Sequence, residues 1–333
     1  MNKEHPDVKF GKTGVLLINL GTPDSTNWWD IRKYLKEFLS DRRVIEVNPI
    51  VWKLILNLFI LNLRPSKTAK AYKEIWMKEE NMSPLRYYTI MQTKKLLDRI
   101  KNDNLIIDYA MRYGDPSIKG KIHKLHKAGC EKLVVLPLYP QYAAATTATV
   151  CDEVYRVLMG MRWQPSLQII PHYESEPLYI KALVNSLRSK ITEIKWKPDL
   201  VLASYHGIPQ KYFDKGDPYQ CYCQKTSRLI SENFKDISLI TTFQSRFGPQ
   251  AWLQPYTDKT LESLPKEGKK NVLVICPGFS SDCVETLEEI SIQGKESFLK
   301  SGGKNFDVIP CLNDNEDHLK LISTLVDRYI IRK

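Results

Sequence analysis

The chain has 333 residues, 43% of them hydrophobic, and a formal net charge of +11. That length suits two packed domains, and no run reaches the ~20 apolar residues of a membrane-spanning helix. The basic balance favours anionic partners such as acidic lipid or carboxylate ligands, whereas the lack of a basic run with interleaved aromatics argues against nucleic acid. Residues 1–12 are polar and lack the apolar stretch of a secretory signal, so a cytoplasmic protein is expected. The seven cysteines are odd in number and irregularly spaced, and read as reduced thiols.

The first strand is predicted at 15–20, a continuous apolar run ending in Gly21-Thr-Pro23. A helix is predicted from Asn48 as N-cap and Pro49 in the first position, stopped by Pro65. At about 15 residues it would be roughly 22 Å long, too short for a bilayer core of ~30 Å. It is the most apolar stretch of the chain, and only Lys53 and Asn57 form a polar stripe. This segment falls in an insertion at about 41–84 and is expected to be a membrane-facing lip that binds lipid through Leu56, Phe59 and Ile60.

Further strands are predicted at 106–111, leading to Arg112-Tyr-Gly-Asp-Pro116, and at 133–136, leading to Pro137-Leu-Tyr-Pro140. The second half repeats the pattern. A strand at 200–204 leads to Gly207-Ile-Pro209, one at 239–243 to Arg246-Phe-Gly-Pro249, and one at 272–276 to Pro277-Gly-Phe279. A last helix at 316–331 carries Leu319, Ile322, Leu325, Val326, Tyr329 and Ile330 and should pack back on a domain face. Continuous apolar strands between helices indicate parallel sheets covered on both faces. The expected fold is α/β: two Rossmann-like, doubly wound parallel-sheet lobes, 1–160 and 161–313, followed by the helix of 314–333.

Ligands of such sheets bind beyond the carboxyl ends of the strands, and the chemistry-bearing residues fall there. Ser204-Tyr-His-Gly-Ile-Pro209 puts His206 after a buried strand in a Gly/Pro turn, suited to proton transfer or metal ligation. Glu285 and Glu289 are four apart on one helical face, with Asp282 a turn earlier. Such a row can bind a hard cation or pass protons, although carboxylates are also common in any first helical turn. Gln244, Ser245 and Trp252 follow a strand and suit a flat apolar ligand with polar edges. Arg112 offers a guanidinium for a carboxylate.

Taken in order, Leu17-Ile-Asn-Leu-Gly-Thr-Pro23, Phe38-Leu-Ser-Asp-Arg-Arg-Val-Ile45, Leu136-Pro-Leu-Tyr-Pro-Gln-Tyr142, Ser204-Tyr-His-Gly-Ile-Pro209, Ser245-Arg-Phe-Gly-Pro249 and Asp282-Cys-Val-Glu-Thr-Leu-Glu-Glu-Ile290 resemble the ferrochelatase family over nearly the whole chain. The resemblance implies a lyase that inserts Fe²⁺ into protoporphyrin IX between two α/β lobes. The alternatives on this fold are a coproporphyrin III ferrochelatase, a cobalt chelatase or an inactive tetrapyrrole-binding protein. It implies His206 at the ring centre, accepting pyrrole protons or handing on the metal, with Glu285 as its partner and metal ligand and Glu289 relaying charge. Leu20, Arg112, Gln244, Ser245, Trp252, Phe279 and Asp282 match positions near the macrocycle, and Arg64 and Tyr72 match the lip. No permanent cofactor is implied, and no [2Fe–2S] cluster is expected, because no cysteine follows Cys311. The implied partners are the porphyrin, the inner face of the membrane as a peripheral surface, and the porphyrinogen oxidase of the preceding step.

Overall fold

The computed structural model describes residues 8–330. The first half runs β1 (Lys12–Gly21), α1 (Trp28–Leu39), α2 (Pro49–Ile55), α3 (Leu61–Ile75), α4 (Pro84–Arg99), β2 (Leu105–Tyr113), α5 (Ile118–Lys127), β3 (Cys130–Pro137), α6 (Thr149–Met159) and β4 (Ser166–Ile169). The helix α7 (Pro177–Glu193) leads to β5 (Leu200–His206), α8 (Gln210–Asp214), α9 (Tyr219–Asn233), β6 (Leu239–Gln244), α10 (Thr257–Ser263) and β7 (Asn271–Ile275). A π-helix over Glu285–Gly294, α11 (Lys295–Lys300), β8 (Asn305–Val308) and α12 (Glu316–Asp327) complete the order.

Among the described residues the strands form two four-stranded sheets, ordered β2-β1-β3-β4 and β6-β5-β7-β8. Every pairing is parallel. The two orders are the same, so β1 matches β5, β2 matches β6 and β3 matches β7. Each central strand is buried on both faces. Leu16 and Ile18 face α5 and α6, while Val15 and Leu17 join the apolar cluster that includes α7 and α12, as the two-residue period of a strand requires. That cluster also takes in Val201, Ala203 and Leu273, so side chains from both sheets share it. The helix α12 packs on α7 and on α4 through Leu321, Ile322 and Leu325. The helix ends at Asp327, so Tyr329 and Ile330, read as helical, lie beyond it, and Ile331 lies outside the described residues.

The inserted segment departs from its sequence reading. Asn48 caps α2, accepting from the Ile50 and Val51 amides, but Pro65 does not stop the helix. A π-helical turn at Leu56–Ile60 feeds α3, which continues through Pro65 to Ile75. Leu61, Pro65, Ala69 and Tyr72 form one buried stripe in the cluster containing Ile31, Tyr34 and Leu35 of α1. Packing of that stripe outweighs the one backbone hydrogen bond that proline removes. Leu56 belongs to the same core, at 2% exposure, whereas Ile50 is 75% and Leu63 74% exposed. Leu54, Leu58 and Phe59 are exposed as well. The lip's open apolar face is therefore carried by these residues, and not by Leu56.

Candidate active site

His206 is the last residue of β5, paired in register with Gln244, the last residue of β6. Its Nδ1 lies 2.6 Å from the carbonyl oxygen of Gly207. A carbonyl can only accept, so in the neutral ring Nδ1 carries the proton and Nε2 keeps its lone pair. The turn requires glycine at 207. A Cβ there would meet the Gln244 carbonyl oxygen at 2.9 Å and Trp252 Cε3 at 3.3 Å. Trp252 is accordingly a nearly buried wall behind the histidine turn, with Nε1 donating to the Phe247 carbonyl at 3.0 Å.

Glu289, on the π-helix, sits in a cradle of neutral donors. The Ser245 amide donates to it at 2.7 Å, the Ser245 hydroxyl makes a second, short bond, and Gln244 Nε2 donates at 3.2 Å. Ser245 can aim both donors at one carboxylate because its φ is 66°, in the left-handed region. The Gln244 amide is itself fixed. Its Oε1 accepts from Ser204 Oγ at 2.7 Å, and Ser204 Oγ lies 2.9 Å from Thr257 Oγ1. Gln244 Nε2 also donates to the Glu285 carbonyl oxygen at 2.8 Å. Burial pushes the Glu289 carboxyl above the usual carboxylate range; its donors and His206 pull it back in part, and Glu285 pushes it further up.

The two glutamates face different spaces. Glu285 borders a cavity of about 10 Å³, with Leu20, Thr22, Tyr34 and Tyr72 of the first half opposite, room for about one water. Burial and the Glu285 charge push the Tyr34 and Tyr72 phenols up, so both remain hydroxyl donors, and burial pushes the Cys283 thiol up as well. Thr22, also in this wall, is buried. Glu289 instead borders an open cavity of about 780 Å³ toward Asp258, Gln293 and Ser297. Gln244 lines the open cavity and is tied to the π-helix through the Glu285 backbone carbonyl.

The remaining sequence-derived candidates are distributed unevenly. Leu20, Tyr72 and Glu285 meet at the small cavity, and Gln244 and Ser245 hold Glu289. Phe279 packs with Leu85, Met111 and Cys283 between the two halves. Arg112 is engaged within the protein. Its guanidinium makes a short ion pair with Asp41, Nε donates to the Thr149 carbonyl at 2.9 Å, and the pair is nearly buried. Arg64 reaches across from α3 to lie 4.2 Å over the Phe247 ring. Asp282 turns away from both cavities into a buried polar network. Among the described residues no three His, Cys, Asp or Glu side chains are placed to hold a metal ion. Sequence reasoning missed Tyr34, Thr22, Ser204 and Thr257. Tyr34 lies on an amphipathic helix, Thr22 follows β1, Ser204 lies within β5 and Thr257 opens α10, so nothing local separates them from ordinary core residues.

A family model described as Ferrochelatase matches residues 12–330. The chain is similar to a ferrochelatase of Allorhizobium ampelinum, 54% identical over 328 residues, covering 98% of this chain and 95% of the relative. It is likewise similar to one of Rhizobium meliloti, 54% identical over 330 residues, covering 98% and 97%. Among solved structures it resembles SirB from Bacillus subtilis with Fe³⁺, at TM-score 0.58 and 12% identity, covering 95% of each chain. At that identity the likeness concerns the fold.

Proposed function

The chain belongs to the ferrochelatase family, and we propose that His206, Glu285 and Glu289 carry its reaction, insertion of Fe²⁺ into protoporphyrin IX. The free-base ring holds two N–H protons, so forming protohaem releases two protons as iron enters. Binding a bent ring more tightly than a flat one exposes the pyrrole nitrogens and lowers the barrier. His206 offers Nε2 to a pyrrole proton or to the metal, because Nδ1 is committed to Gly207. Glu285, at the small cavity, is the second acidic partner, and Glu289 takes protons onward to the open cavity. The observation that carries this reading is the Glu289 cradle: a buried carboxylate held by neutral donors keeps a raised proton affinity and can both accept and release protons.

The cavity beside Glu285 holds about one water, far less than a tetrapyrrole. Substrate entry therefore requires the lip to lift from the second half, parting contacts such as Arg64 on Phe247. The exposed apolar residues of α2 and the π-turn make this lip a peripheral membrane contact through which a greasy porphyrin arrives. Among the described residues no helix is long and apolar enough to cross a membrane. The reaction needs no resident iron–sulfur cluster in this reading.

The direct test supplies purified protein with Fe²⁺ and protoporphyrin IX and follows the haem spectrum. Glu285→Gln should lower turnover by about 10²-fold or more while porphyrin fluorescence quenching, the measure of binding, is little changed. Collapse of porphyrin binding with normal turnover per bound ring would overturn the assignment. For the lip, replacing Leu54, Leu58 and Phe59 with Ser should reduce sedimentation with anionic phospholipid vesicles and leave thermal unfolding unchanged. Unaltered vesicle binding would move the membrane contact elsewhere.

A further inference from the structure

Three residues before Glu285, the chain enters the π-helix through a buried clasp. The Asp282 amide donates to Asn313 Oδ1 at 2.8 Å, and Asn313 Nδ2 donates back to Asp282 Oδ2 at 2.7 Å. The other carboxylate oxygen, Oδ1, accepts from Thr286 Oγ1 at 3.0 Å and from the Cys311 amide at 3.3 Å. Thr286 Oγ1 in turn accepts from the Cys283 amide at 3.1 Å. The first turn bearing Glu285 is thus fixed through Asp282, and Asp282 through Asn313. Asn313 holds φ 48°, a conformation asparagine tolerates better than most residues.

The same asparagine is tied to the rest of the molecule by its backbone. Its carbonyl accepts Gln92 Nε2 at 2.8 Å and lies 2.6 Å from His318 Nδ1. Burial pushes the His318 imidazole down to about 4, so it is neutral near pH 7 and Nδ1–H is the donor. Gln92, on α4, also donates to Ser281 Oγ at 3.0 Å. Asn313, Asp282, Gln92 and His318 are all nearly or fully buried, where each bond forgone leaves a desolvated group.

We propose that Asn313 is a positioning residue for iron insertion, clasping Asp282 so that the π-helix presents Glu285 to the small cavity lined by Leu20, Tyr34 and Tyr72. Gln92 ties that clasp to the first half of the molecule. The proposal rests on Glu285 acting in the reaction. Asp282 itself acts as a hydrogen-bonding partner, and a carboxylate is required on only one side of the clasp.

The partners can therefore be exchanged. Asp282→Asn alone sets two amide groups against each other, and Asn313→Asp alone sets two carboxylates together. Each should lower kcat by about tenfold or more with KM for protoporphyrin IX changed less than about twofold. The double variant Asp282→Asn/Asn313→Asp restores one amide facing one carboxylate and should recover kcat to within about threefold of wild type. A folded double variant no more active than the singles would overturn the proposal. Should the exchange variants not fold, Asn313→Gly decides. It tolerates the left-handed backbone and keeps the carbonyl bonds, and it should lose about tenfold in kcat at unchanged KM; wild-type kcat there would overturn the proposal. Glu285→Gln, assayed alongside, separates the failures: if it stays active the catalytic reading falls, and if it alone is inactive the clasp falls.

Discussion

The two halves place different electrostatics at matching strand ends. In the first sheet, β2 carries Arg112 just before its last residue, and that guanidinium is neutralised by Asp41 and further engaged by the Thr149 carbonyl. In the second sheet, the matching strand ends in Gln244 and Ser245, which hold Glu289 with uncharged donors only. An ion pair fixes both partners in their charged forms, whereas neutral donors in a buried site leave a carboxylate free to titrate. The two matching sheets thus carry an ion pair near one strand end and a buried carboxylate held by uncharged donors at the other.

This contrast can be broken from either side. The largest effect should come from His206→Ala, which removes the free Nε2 and should lower iron insertion by roughly 10³-fold with the thermal midpoint little changed. Turnover near wild type in the folded variant would remove the histidine from the mechanism. At the matching end of the first sheet, Arg112→Met should act mainly on stability. It leaves Asp41 buried without its cation and should cost about 3–5 kcal/mol in denaturant unfolding, with kcat of the folded fraction retained within a few-fold. A variant that unfolds like wild type but loses turnover would assign Arg112 to the substrate and erase the contrast.

The same division explains what the sequence made readable. Strands such as β1, β3, β5 and β7 are continuous apolar runs because they are buried on both faces, so their repeat could be matched by eye. The edge strands β4 and β8 were missed: each is four residues long and only partly buried, which leaves no apolar run to detect. His206 stands out in the sequence because a titratable side chain closes an apolar strand there, and Glu289 because it lies four residues beyond Glu285. The π-helical widening at Glu285 was not, since a four-residue spacing reads equally as ordinary α-helix. Pro65 misled for a related reason, because tertiary packing of its stripe on α1 is invisible in local sequence. Asn313 gave no signal, lying 28 residues beyond Glu285 in sequence and meeting its loop only through the fold.

The central claim, that Glu289 serves as a proton acceptor with raised affinity, is tested most directly by the pH dependence of kcat. A carboxylate accepts a proton only when ionised, and burial has raised its pKa above the ordinary value of 4.5. Turnover of the wild-type enzyme should therefore fall on acidification, with a limb centred above 4.5. Glu289→Gln should reduce the pH-independent rate and lose that limb. The same acid limb, unshifted in the Glu289→Gln enzyme, would contradict the account.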